Sequence, residues 1–139
     1  MNKKIMPWIG VGVIVIALVI ASVIGYNIFF PYADPFVKPP VDQLFRVTVL
    51  ATGCSADVEY EVAFEFFEVI GEPKPTRRQS VNDSPYNDTY CSIEVLNGET
   101  LYKYYVYIIE DTVFLEQPYV GVYEISKSGY DLLKANLPQ

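Results

Sequence analysis

The sequence predicts a single N-terminal transmembrane helix carrying an all-β outer domain, an antiparallel sandwich of immunoglobulin-like or half-barrel form with a short C-terminal helix. Three observations carry this expectation. No residue in the stretch 5–33 bears a charge. Several later segments alternate apolar with polar residues, the period of a strand with one buried face. Asn97-Gly98 stands between two such segments, a pair that tolerates positive φ and closes hairpins.

The apolar run sets the first element. A bilayer core of ~30 Å needs about 20 apolar helical residues, and residues 8–30 supply them. Trp8 at one end, and Tyr26, Phe29, Phe30 and Tyr32 at the other, match the aromatic belts of the two interfaces. Lys3 and Lys4 precede the run. Basic residues stay on the cytoplasmic side, so the rest of the chain is expected outside the plasma membrane. A cleavable signal peptide has a shorter apolar core, roughly 7–15 residues, and a small-x-small junction. Ala21-Ser22-Val23 is a weak junction, and the bulky end of the run favours an uncleaved anchor. Gly10, Ala17, Ala21 and Gly25 fall on one stripe, where small side chains let two membrane helices approach closely. The implied partners are the lipid bilayer and, through this stripe, another membrane-protein subunit or a second copy.

Residues 1–30 therefore read as cytoplasmic N-terminus and anchor, 31–41 as a stalk, and 42–139 as the outer domain. Pro31, Pro35, Pro39 and Pro40 make the stalk extended and stiff. Alternation predicts strands over 45–51 and 58–66, the latter with a β-bulge at Phe66-Phe67. A further strand over 91–95 leads into the hairpin. Residues 101–109 are apolar or aromatic on both faces and so predict a central or covered strand. Asp111-Thr112 turns the chain into 113–125, interrupted at Pro118. Ser128 to Asp131 resembles a capping box, opening a helix over 130–136. An immunoglobulin core would need a Cys-Trp-Cys pattern, but Trp8, the sole Trp, lies in the anchor.

Composition narrows the function. The chain has 17 acidic and 10 basic residues, a net charge of −7 and no His. Every acid and every base except Lys3 and Lys4 follows the helix. An acidic domain without clustered Lys and Arg does not suit nucleic acid. The lack of His removes the commonest general base and metal ligand. Glu59, Glu61 and Glu65 read as a solvated strand face, and Asp83, Asn87 and Asp88 lack the spacing of a Ca²⁺ loop. No catalytic residue, metal ligand, cofactor or small-molecule substrate is assigned.

Four features remain as candidate sites. Cys54 and Cys91 are the only cysteines, and an even pair in an oxidising compartment is expected to form a disulfide, worth roughly 3–4 kcal/mol for this loop. Two buried thiols are the alternative. The longest irregular stretch, 71–88, holds the sequons at Asn87 and Asn82, with Pro85 weakening the second. It also holds Lys74, Arg77 and Arg78, a basic knot suited to an acidic partner unless it is simply a solvated tip. Tyr102 and Tyr104, with Tyr105 and Tyr107, form a row that serves either sheet packing or an interface.

The layout of apolar helix and β domain is similar to that of type IV pilins. The pilin Gly or Ala junction and early acid are absent, since Lys3-Lys4 runs into Ile5-Met6-Pro7, so the similarity covers layout only. The expected function is that of a non-enzymatic, membrane-anchored interaction or structural protein, an accessory subunit of a larger membrane complex. A free-standing surface receptor or adhesin-like module is the alternative, followed by a pilin-like filament subunit.

Overall fold

The computed structural model describes residues 6–39, 46–51, 54–58, 60–97 and 99–136. The chain divides into two compact units, Met1–Tyr32 and Ala33–Gln139. The first holds one helix, α1 (Met6–Phe29). Within it, Gly10–Phe29 is long and apolar enough to cross a membrane by length and composition, and none of it is buried. Two polar side chains turn back onto the helix: Ser22 Oγ donates to the Leu18 carbonyl at 2.8 Å and Asn27 Nδ2 to that of Val23 at 2.9 Å. Such back-bonding satisfies a polar side chain without water.

The second unit contains, in chain order, β1 (Arg46–Ala51), β2 (Cys54–Val58), α2 (Tyr60–Val69), β3 (Lys74–Pro75), β4 (Cys91–Asn97), β5 (Thr100–Ile109), β6 (Thr112–Gln117), β7 (Gly121–Ile125) and α3 (Lys127–Ala135). All seven strands join one sheet in the order β2-β1-β4-β5-β6-β7-β3, every pair antiparallel. The expected β4–β5 hairpin forms, but Asn97 is the last residue of β4, opposite Thr100, and not part of the turn. The β5–β6 hairpin closes at Ile109 opposite Thr112. Both of its corner residues, Glu110 and Asp111, take positive φ, as a tight type I′ connection requires.

The sandwich expectation is corrected here, because the place of a second sheet is taken by helices. Ala63, Phe66, Phe67 and Ile70 are buried and follow the i, i+3, i+4, i+7 spacing of a helix face. Leu133 of α3 joins them over Ile93, Val95, Val106 and Leu115. α3 lies close against α2 at Gly129, where a Cβ would come within 2.5 Å of Ile70 Cγ2. The architecture is therefore a sheet with helices on one face, an α+β arrangement.

The segment expected as a strand over 58–66 is mostly helix, and no bulge exists at Phe66-Phe67. Val62, Phe64 and Phe66 satisfy period two, but the buried set satisfies period 3.6, with Glu61, Glu65 and Glu68 exposed. The expected carboxylate ladder is thus the solvated face of α2, while Glu59 lies outside the described residues. β2 was not anticipated. α3 begins at Lys127 rather than Tyr130, and the capping box is not what starts it. Ser126 precedes the helix without a side-chain cap bond, and its Oγ donates to the Val69 carbonyl instead.

The stalk expectation also changes. From Ala33 the chain belongs to the domain. The Ala33 N–H donates to the Thr76 carbonyl at 2.9 Å. Phe36 sets its ring 5.3 Å from Tyr123, 5.9 Å from Tyr104 and 6.4 Å from Phe67. Lys38 pairs with Glu68 at 3.0 Å. Prolines keep this strap extended, which lets one aromatic side chain reach the core.

Candidate functional site

The face of the sheet away from the helices is covered by chain with almost no regular structure, residues 76–90. Strand alternation sends Tyr105, Tyr107, Phe114 and Val122 to this side, where they form a second apolar cluster. The same alternation places Glu116 there, only 3% exposed. A carboxylate buried without partners costs several kcal/mol, and here three donors converge on it. Ser80 Oγ donates to Oε1 at 2.7 Å, while Tyr107 OH (2.8 Å) and the Tyr86 N–H (3.0 Å) donate to Oε2. Two of the three donors come from the covering loop. Burial, and then the adjacent Glu116, push the Tyr107 pKa well above its ordinary value, so the phenol stays a donor.

Other bonds fix the loop along its length. Thr76 Oγ1 donates to the Val122 carbonyl at 2.7 Å, Tyr105 OH to the Asp83 carbonyl, and Asn87 Nδ2 to the Ile108 carbonyl at 2.9 Å. The Arg78 guanidinium lies 4.5 Å from the Phe114 ring and 5.5 Å from that of Tyr86, a cation–π arrangement. The expected solvated tip is in fact a bonded cover.

Several expected sites are relocated by this geometry. Arg78 is engaged by two rings and so is not a free docking cation, and Arg77 also has a partner within the chain. Tyr104 is fully buried on the helix side and cannot meet another protein. Tyr102 is half-buried beside a shallow groove of about 300 Å³ shared with Leu101, Lys103, Pro118 and Tyr119. Asn87 is half-buried with its amide turned onto β5, whereas Asn82 is exposed and its Oδ1 accepts the Ser84 N–H at 3.1 Å. The ranking of the two sequons by accessibility is thus the reverse of that expected from Pro85. Gly10 and Gly25 have open space around them, and Ala17 and Ala21 are exposed.

The Cys54–Cys91 bridge is not formed. Cys91 is a free, buried thiol. Both residues pair with Ala51, Cys54 from β2 and Cys91 from β4, so β1 separates them. Two strand spacings amount to about 10 Å, beyond the roughly 4.4–6.8 Å between the Cα atoms of a disulfide. Burial raises the Cys91 pKa, which keeps the thiol unreactive. Among the described residues no group of three His, Cys, Asp or Glu is placed to hold a metal ion. Glu116 and Ser80 were missed by sequence reasoning, which named Tyr107 only as a member of the tyrosine row. The one signal for Glu116 is its place as a lone acid at the end of the apolar run Val113-Phe114-Leu115.

Residues 39–124 match the DUF5301 family, described as a domain of unknown function (DUF5300). The match spans more than half of the chain. The chain belongs to the DUF5301 family. Comparison with curated proteins and with solved structures gives no match. The DUF5301 region runs from the last residue of the described strap to Glu124 in β7 and leaves α1 and α3 outside. It contains the whole covering loop and Glu116, so the bonded cover belongs to the family's own part of the chain.

Proposed function

We propose that this DUF5301 protein is a non-enzymatic, membrane-anchored interaction protein, an accessory subunit of a larger membrane complex, with its N-terminus cytoplasmic and its domain outside. The observation that carries the reading is the exposure of α1. Its large apolar side chains from Val11 to Phe29 are all half or more exposed. At ~1.5–3 kcal/mol for each such side chain, water is an untenable surrounding for the helix, while lipid or partner helices suit it. The back-bonded Ser22 and Asn27 support the same environment, and Lys3 and Lys4 support the orientation.

The domain's chemistry supports binding rather than turnover. Its buried carboxylate has both oxygens engaged by donors, its buried tyrosines are held protonated, and its buried thiol is held neutral. Two measurements test the reading. Alkaline carbonate should leave the full-length chain in the membrane, and protease added to intact cells should remove the domain. Release by carbonate, or a mature N-terminus beginning after residue 23, overturns the anchor. The packing role of Gly10, Ala17, Ala21 and Gly25 is tested by Ala21→Leu with Gly25→Ile, which should release co-purifying subunits in mild detergent.

A further inference from the structure

We propose that the outer edge of β2 is an interface at which two copies of this chain pair, strand to strand and antiparallel, so that their sheets run on as one. The inference goes beyond the anchored reading and does not depend on it. Its ground is the unequal treatment of the two edges of the sheet. An edge strand offers a row of backbone N–H and C=O groups to another strand. Edges that stay apart are blunted by very short strands, by Pro or Lys, or by chain laid across them.

The β3 edge carries all of these devices. The strand is two residues long, Lys74 and Pro75, and Pro73 precedes it. Neither proline has an N–H to donate. The strap meets this edge, with the Ala33 N–H on the Thr76 carbonyl. Among the described residues the β2 edge has none of them. Cys54–Val58 is five residues long, without Pro or Lys, and each residue is paired with one of β1. Among the described residues β1 is its one neighbour in the sheet. Alternate residues of an antiparallel strand turn their backbone groups to opposite sides, so β2 has N–H and C=O groups directed away from β1.

The same contrast says what pairs there. The blunted β3 edge cannot accept β2 of another copy, which excludes an open-ended row of sheets. A closed pairing of like edges, with two-fold symmetry, remains. The strand is also suited to itself. An antiparallel pairing centred on Ala56 gives all five residues a partner: Cys54 opposite Val58, Ser55 opposite Asp57, and Ala56 opposite Ala56. Asp57, the one charged residue of β2, then stands opposite Ser55. Sliding the register by two residues would set Asp57 against Asp57 of the other copy, and like charges directly opposite destabilise a sheet.

The test uses the full-length chain in mild detergent, with Ala21→Leu and Gly25→Ile present throughout so that the α1 stripe does not hold copies together. Light scattering should give twice the monomer mass for the protein. Ser55→Asp sets an acid opposite Asp57 twice over and should raise the dissociation constant about tenfold. Ser55→Lys, at the same position, should leave it unchanged or lower it. A cross-link checks the register. Residues directly opposite have Cα atoms ~4.5–5.5 Å apart, within the reach of a disulfide. In a Cys54→Ser background, Ala56→Cys should therefore give a covalent dimer on mild oxidation. Val58→Cys in that background should give none, since position 58 lies about 13 Å along the strands from its own copy. A monomeric mass, equal weakening by Ser55→Asp and Ser55→Lys, or equal cross-linking at 56 and 58 overturns the pairing. A purified monomer whose amides 54–58 gain protection from hydrogen exchange only in native membranes overturns it in favour of a strand from another protein.

Discussion

The two faces of the sheet are covered by different means. On one, α2, α3 and Phe36 form a nearly all-carbon layer in which Phe66, Phe67, Ile93 and Leu115 are fully buried. Two hydroxyls sit within it, those of Tyr104 and Tyr123, with no hydrogen-bond partner among the described residues. On the other, a loop is held by discrete bonds gathered at Glu116. An amphipathic helix covers a sheet by area and tolerates an imperfect polar group. An irregular loop has little apolar area to offer, so its backbone must be fixed by directed bonds. The first face should yield gradually to loss of volume, and the second abruptly to loss of one acceptor.

The largest effect expected from a single change falls on the helix face. Phe67→Ala removes the ring that meets Phe36, Phe66 and Tyr104, and large-to-small changes of this kind cost about 3–5 kcal/mol. Urea unfolding of the protein in mild detergent checks this, and a cost below that of the next variant would break the contrast. Glu116→Ala strips an acceptor from three donors and should cost about 3 kcal/mol. Its signature is local: hydrogen exchange should accelerate over residues 78–90 while α2 keeps its protection.

A pair of smaller changes sharpens the comparison. Tyr107→Phe takes a donor from buried Glu116 and should cost about 1–1.5 kcal/mol. Tyr104→Phe removes a hydroxyl that has no partner among the described residues and should be neutral or mildly stabilising. pH separates the pair further. Burial raises the Tyr104 pKa above the ordinary value, and burial with Glu116 raises that of Tyr107. A group raised in the fold contributes stability below its unfolded pKa, about 10 for Tyr, and loses it as the pH climbs toward the folded value. Tyr104→Phe should therefore delay alkaline unfolding, whereas wild type should begin to lose stability above about pH 10. The smallest effect is a null one. A reductant should leave the melting temperature unchanged, because Cys91 is free, and a fall in melting temperature would restore the disulfide.

Much of the sheet was legible in the sequence because its signals are local. The hairpin signal near Asn97, the doubly apolar run of β5 and the break at Pro118 are of this kind, and β4 to β7 follow them closely, although Asn97 itself ends β4 and does not enter the turn. α2 was misread because Val62, Phe64 and Phe66 fit alternation as well as Ala63, Phe66, Phe67 and Ile70 fit a helix. Periodicity alone cannot decide between two patterns that share Phe66, and packing of that residue over the sheet does. The strap was misread for a similar reason: four prolines state an extended backbone but not where Phe36 lands. The network at Glu116 was out of reach, since its donors stand 9, 30 and 36 residues away and only the fold brings them together.

The strap also has a mechanical side. Tension on α1 reaches the domain first at Ala33, where a single backbone bond to Thr76 meets it, and next at the ring of Phe36. Beyond Thr76 lies β3, a two-residue edge strand paired with β7 alone. Load applied there opens these contacts one after another, as in a zip, and is not shared across a row of parallel bonds. The wide β4–β5–β6 centre of the sheet stays outside that path, and so does the loop bonded across it. Under a steady pull the domain would thus lengthen by the few residues of the strap before its folded body was strained, a short built-in compliance between the helix and the folded body.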